Sequence, residues 1–208
     1  MKKSFFALTL FVFGSISTWA QEANRCQHTE AVQALISQDP HQAIAIQDAH
    51  EQVNEIISQR NNTSGTVYWI PVVVHVVYNT AEQNISVTAI QSQLDVLNAD
   101  YRGLNADQNE VPAHFSNLVA DSEIAFCLAN VDPEGNWTTG ITRTETTTSQ
   151  WSGSSTGMMS AGGGGHDPWP HSDYLNIWVV NLNPLFLGYA YPPGANPNGM
   201  VIGYKNFG

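Results

Sequence analysis

Residues 66–79, TVYWIPVVVHVVYN, form an unbroken apolar and β-branched run. A run without polar alternation predicts a strand covered on both faces. In SVTAIQSQLDVLNADYRG, Val87, Ile90, Leu94, Leu97 and Tyr101 recur at helical spacing and Gly103 ends the pattern. SEIAFCLANV predicts a second strand, GITRTET a short third one, and YLNIWVVNL another buried strand. LGYAYPP reads as a short strand closed by Pro192 and Pro193, and GMVIGY as the last. Between them, residues 148–173 read as a long irregular loop. Strand, helix, strand and then several strands predict an α/β fold with a mostly parallel sheet.

The pattern before residue 66 is different. HTEAVQALISQ offers Thr29 as a cap and sets Val32, Leu35 and Ile36 on one face. A second helix starts with Asp39 as N-cap and Pro40 in its first turn, and carries a thin stripe of Ile46, Val53, Ile56 and Ile57. NNTSG at 61–65 reads as a linker. Residues 21–60 therefore have the composition of a helical propeptide set ahead of a domain at 66–208. Residues 1–20 begin with Lys2 and Lys3, continue through FFALTLFVFG and end with Thr18 and Ala20 at the positions a signal peptidase reads. That is the pattern of an export signal cleaved after Ala20, too short for a comfortable membrane span. A secreted monomer without stable membrane insertion is expected.

Charge narrows the partners. Seven Lys and Arg against 18 Asp and Glu give a formal net charge of -11 over 208 residues. Nucleic acid is excluded as a partner class, because phosphate binding needs a basic footprint. Export brings oxidising conditions, so Cys26 and Cys127 can pair as a disulfide.

No complete catalytic constellation can be assembled from residue chemistry alone. GGGG at 162–165 lacks the Lys-Ser/Thr of a phosphate loop and reads as flexible. His166 and His171 flank DPWP, but a zinc site needs more ligands than two. Asp132, Glu134, Asp167 and Asp173 have the oxygen chemistry for calcium without the spacing of a calcium loop. His75, inside an apolar strand, reads as a hydrogen-bonded core residue, and Cys127 as an inert thiol or one end of a disulfide.

Seven stretches together carry a resemblance: IPVVVHVVYN, LDVLNADYRGLNAD, VPAHF, IAFCLANVDPEGNWTTGITRT, YLNIWVVNL, LGYAYPPG and GMVIGYKNFG. In order and spacing, residues 70–208 resemble the upper part of a pappalysin-type metalloprotease, a secreted zinc endopeptidase family of the metzincin clan. The resemblance implies a zincin upper subdomain: a twisted, mostly parallel sheet with a backing helix and an antiparallel edge strand above the cleft. LGYAYPP fits that edge, where an extended protein or peptide substrate pairs through its main chain. Gly188, Tyr189 and Ala190 are the residues expected to touch substrate, or else to form a plain structural edge.

The resemblance also implies a zinc site, His-Glu-x-x-His-x-x-Gly-x-x-His, in which glutamate is the base for a zinc-bound water. No His-Glu-x-x-His occurs in these 208 residues. The chain is therefore expected to hold no catalytic residue and no metal ligand, to be inactive alone, and to stop short of the zinc-binding helix. Without that helix one sheet face is expected to lose its cover. Cys26 gains a second reading by the same resemblance: a propeptide cysteine that ligates zinc and keeps the enzyme latent. A disulfide to Cys127 and a spectator thiol stay open beside it. The alternative to a protease precursor is a secreted, non-catalytic module that binds peptides along the edge strand.

Overall fold

The computed structural model describes residues 28–59 and 65–208. Two helices come first, α1 (His28–Gln38) and α2 (His41–Gln59). The Asp39 carboxylate accepts the His41 N–H at 3.0 Å and so caps α2, as its position before Pro40 predicts. Thr29 lies inside α1, not at its cap. The export signal at 1–20, Cys26 and linker residues 61–64 lie outside the described residues.

The sheet contains β1 (Tyr68–Tyr78), β2 (Ile124–Leu128), β3 (Ile141–Glu145), β4 (Leu175–Val180), β5 (Gly188–Tyr191) and β6 (Gly199–Gly203). Its order is β2-β1-β4-β6-β5, and β3 pairs with the second half of β1 beyond β2. Every pairing is parallel except β5 with β6. Between β1 and β2 runs α3 (Val87–Tyr101), capped by Ser86, whose hydroxyl accepts the Ala89 N–H.

Alternation along β1 explains why its apolar run is continuous, since each face has its own cover. Val72, Val74 and Val76 point with Ile177 and Val179 toward Ile90 and Leu94 of α3 and toward Phe207. The other face carries Val77, Trp178, Val180 and Val201. It is covered by Trp151, Met158 and Met159 from the loop after β3, and by Ala31 and Leu35 of α1. The expected bare face is therefore absent: Val73, Val77 and Trp178 are all buried.

The loop achieves this by tight packing, which also corrects the reading of its glycines as a flexible run. A Cβ on Gly165 would stand 2.0 Å from the Met158 carbonyl oxygen, and one on Gly163 would stand 2.6 Å from that of Gly157. Only glycine allows these main-chain segments to touch.

Candidate functional site

The two ends of the sheet are finished differently. At β2, Asn98 of α3 closes the edge: its amide donates to the Phe126 carbonyl at 3.0 Å and its oxygen accepts the Phe126 N–H at 2.7 Å. At β5, among the described residues, no strand or amide side chain does the same.

Register fixes which groups of β5 are available. The Gly203 N–H donates to the Leu187 carbonyl at 2.9 Å, so these two residues form a hydrogen-bonded antiparallel pair. Pairing alternates with a period of two, so Tyr189 opposite Val201 and Tyr191 opposite Gly199 also direct their main-chain groups to β6. Gly188 and Ala190 direct theirs outward. His28 agrees with this parity: its Nδ1 lies 2.6 Å from the outward carbonyl of Ala190.

Tyr189 serves the edge from beneath. Its side chain is buried, its hydroxyl donates to the Ser155 carbonyl at 2.9 Å, and its ring meets that of Tyr191 edge-to-face at 5.7 Å. Burial pushes the Tyr189 phenol well above its usual range, so it stays neutral and donates. The three residues singled out in the sequence thus divide into two outward main-chain positions and one anchor.

The N-terminal helices lie along this edge. Ala31 and Leu35 share a buried cluster with Tyr189, Tyr191 and Ala195. Past β5, the Asn196 N–H donates to the Gln42 side-chain oxygen at 2.8 Å. Gly194 has φ +87°, and a Cβ there would meet the Ala45 carbonyl oxygen at 2.3 Å.

On the loop-covered face, His75 is fully buried. Asn176 donates through its amide to the Trp169 carbonyl, which turns its oxygen toward the Trp169 N–H and His75 Nε2. His75 is therefore the Nε2–H tautomer, donating to Asn176 at 3.0 Å and accepting from the Thr142 hydroxyl at Nδ1, 2.8 Å away. Burial, reinforced by His166 stacked at 4.5 Å, pushes its pKa down to about 4 despite the Asn176 hydrogen bond. The sequence reading of His75 as a bonded core residue holds, and its partners fasten the 148–173 loop to β1, β3 and β4.

The metal candidates are not gathered. His166 stacks on His75, whereas His171 lines a groove with Trp69, Asp173 and Tyr174. Asp132 accepts main-chain N–H groups of its own turn, and Asp167 accepts the Ala161 N–H. Among the described residues no three His, Cys, Asp or Glu side chains could hold a metal ion, so the residues present do not fit a zinc centre. The string Gly153-Ser-Ser-Thr-Gly157 has nucleophile-elbow spacing but lies in the loop, where the Ser155 hydroxyl accepts the Gly157 N–H, rather than at a strand-to-helix turn. Cys127 is half-buried in β2 opposite Pro71. Among the described residues no helix is long and apolar enough to cross a membrane.

No protein-family model and no curated protein matches the chain. Solved structures do. Mirolysin in complex with compound 9 is 49% identical, with TM-score 0.66, over 69% of this chain and 55% of its own. Tannerella forsythia mature mirolysin in complex with a cleaved peptide is 47% identical, with TM-score 0.65, over 70% of this chain and 55% of its own. A T. forsythia promirolysin mutant is 41% identical, with TM-score 0.73, over 88% of this chain and 60% of its own. The chain thus spans 55–60% of the length of these proteins. Over the part it spans, and with a parallel sheet bordered by one antiparallel strand, the chain is similar at 41–49% identity to mirolysin and promirolysin, metalloproteases of the pappalysin type in the metzincin clan.

Proposed function

We propose that residues 66–208 are the upper subdomain of a secreted zinc metalloendopeptidase and supply the wall along which an extended substrate pairs. The observation that carries this is the outward main chain of Gly188 and Ala190 on an antiparallel edge strand. An extended peptide adds to such an edge through main-chain hydrogen bonds. The mature relative crystallised with a cleaved peptide supports a peptide as occupant. In the complete enzyme zinc would polarise the peptide carbonyl and activate water, with ligands that these residues do not provide. The 208-residue chain alone is accordingly inactive.

Residues 21–60 are proposed as a pro-segment, with 1–20 as export signal and 61–65 as linker. Promirolysin covers 88% of the chain and mature mirolysin 70%. The difference, 18% of 208, is about 37 residues, close to the 32 residues of His28–Gln59. The pro-segment keeps substrate away by holding the Ala190 carbonyl through His28 and burying Leu35 over Tyr189 and Tyr191.

Cys26 is proposed as the latency ligand for zinc. Its rivals are a disulfide to Cys127 and a spectator thiol, and the thiolate is the better ligand for a soft-to-borderline metal such as zinc.

The test is amide exchange in the presence of an extended peptide. Protection is expected at Gly188 and Ala190, not at Tyr189. It should rise when His28→Ala and Leu35→Ala loosen α1, and disappear in Ala190→Pro. Protection confined to any other element would overturn the assignment. A secreted peptide-binding module remains the second reading, favoured by one observation: both sheet faces are buried without further chain. It uses the same edge and differs in that binding of the extended peptide is the whole of its role.

A further inference from the structure

A groove of about 330 Å³ opens at the carboxyl ends of β4 and β6, beside the start of β5. Leu182, Phe186 and Leu187 form apolar walls, and Gln150, Lys205 and Asn206 supply polar ends. Leu187 and Gly203, which line it, are the hydrogen-bonded pair that starts β5. The groove therefore continues the edge, past Gly188 and away from α1, which docks at Ala190 and beyond. Open α/β sheets commonly hold ligands at this end of their strands.

Its charge is unusual for this protein. Arg102 is bonded to Asp121, and Arg143 to Asn84 and the Ile85 carbonyl. Lys205, exposed at the groove, has no carboxylate within salt-bridge distance among the described residues. Its ammonium lies only over the Tyr204 ring, 5.6 Å from the centroid. Glu82 is engaged elsewhere: it accepts the hydroxyl of the neighbouring Tyr204 at 3.1 Å. In a chain of net charge -11, an anionic group is repelled from most of the surface and finds an unpaired cation here.

We propose that this groove binds a peptide carboxylate, with Lys205 as its counter-ion and Leu182, Phe186 and Leu187 packing the aliphatic part. The carboxylate is either an acidic side chain or the carboxyl terminus of a peptide chain. The site extends the proposed function, because a substrate antiparallel to β5 runs its carboxyl-terminal side toward the groove. The chemistry of the groove itself stands apart from pairing at Gly188 and Ala190.

The experiment is an NMR titration of the full chain with three acetylated tripeptides. One is Leu-Gln-Leu amide, one is Leu-Glu-Leu amide, and one is Leu-Gln-Leu with a free carboxylate. Shifts are followed at Leu187, Gly203 and Lys205. At least one acidic probe should bind about three- to tenfold tighter than the neutral amide. The stronger acidic probe identifies the source of the carboxylate. Lys205→Gln should erase the preference and Lys205→Arg should retain it. Equal binding of all three probes, an apolar preference only, or an unchanged preference in Lys205→Gln overturns the proposal. Longer peptides, followed in parallel at Gly188 and Ala190, report on edge pairing, so failure of one reading is separable from failure of the other.

Discussion

Lowering the pH should unfasten the loop-covered face through His75. In the folded chain its pKa is pushed down to about 4, against 6.5 for the free side chain. As pH falls through 6.5 the unfolded chain takes up a proton that the folded chain refuses. Stability is therefore fully present above about 6.5 and is lost progressively as pH falls toward 4. The difference of about 2.5 pH units corresponds to about 3 kcal/mol. The cost is structural: burial leaves a charge on His75 without water, a proton on Nδ1 removes the acceptor for the Thr142 hydroxyl, and the charge stands 4.5 Å from the half-buried His166 ring and against the buried Trp178. The assay is urea unfolding at pH 7.5, 6.5, 5.5 and 4.5, followed by the fluorescence of Trp169 and Trp178, which both contact His75. The unfolding free energy should be nearly level between 7.5 and 6.5, then drop by up to about 1.4 kcal/mol per pH unit. His75→Gln should start lower at pH 7.5 and lose most of that slope. If the variant keeps the wild-type slope, protonation of His75 is not what the unfolded chain gains.

Two further expectations test packing and covalent state. Gly165→Ala sets a methyl against the Met158 main chain and should cost at least about 2 kcal/mol, read as a melting temperature lowered by about 5 °C or more; an unchanged melting curve would mean that the loop is not packed as described. Intact-mass analysis of the full chain under non-reducing conditions should find Cys26 and Cys127 uncrosslinked, and a mass lower by two hydrogens with a 26–127 crosslinked peptide would remove the proposed latency role of Cys26.

The sheet was legible because its signals are local. The β-branched run of β1, the heptad-like spacing of α3 and the prolines after β5 each report on a few neighbouring residues. The edge position of β5 came from the family resemblance, which the prolines that close the strand suit. Which of Gly188, Tyr189 and Ala190 face outward was not, because that depends on register with β6, and one residue of slip would invert the answer. The cover supplied by Trp151, Met158 and Met159 was also hidden. Those residues lie in a glycine-rich stretch with no period, and only the close approach of Gly163 and Gly165 to their neighbours brings them together.

The thin apolar stripe of the N-terminal helices makes sense in the same terms. A helix meant to form a permanent core would carry a wide apolar face. Here α1 buries Ala31 and Leu35, whereas Val53, Ile56 and Ile57 of α2 stay exposed. A strand edge with outward Gly188 and Ala190 invites pairing with any extended chain, including other copies of itself. Burying a Leu side chain gives about 2 kcal/mol, and the His28 contact adds about 1 kcal/mol more. On the proposal that residues 21–60 are a pro-segment, contacts of this size keep the edge covered while the segment is attached, and the thin stripe of α2 leaves little to hold it once it is cut free.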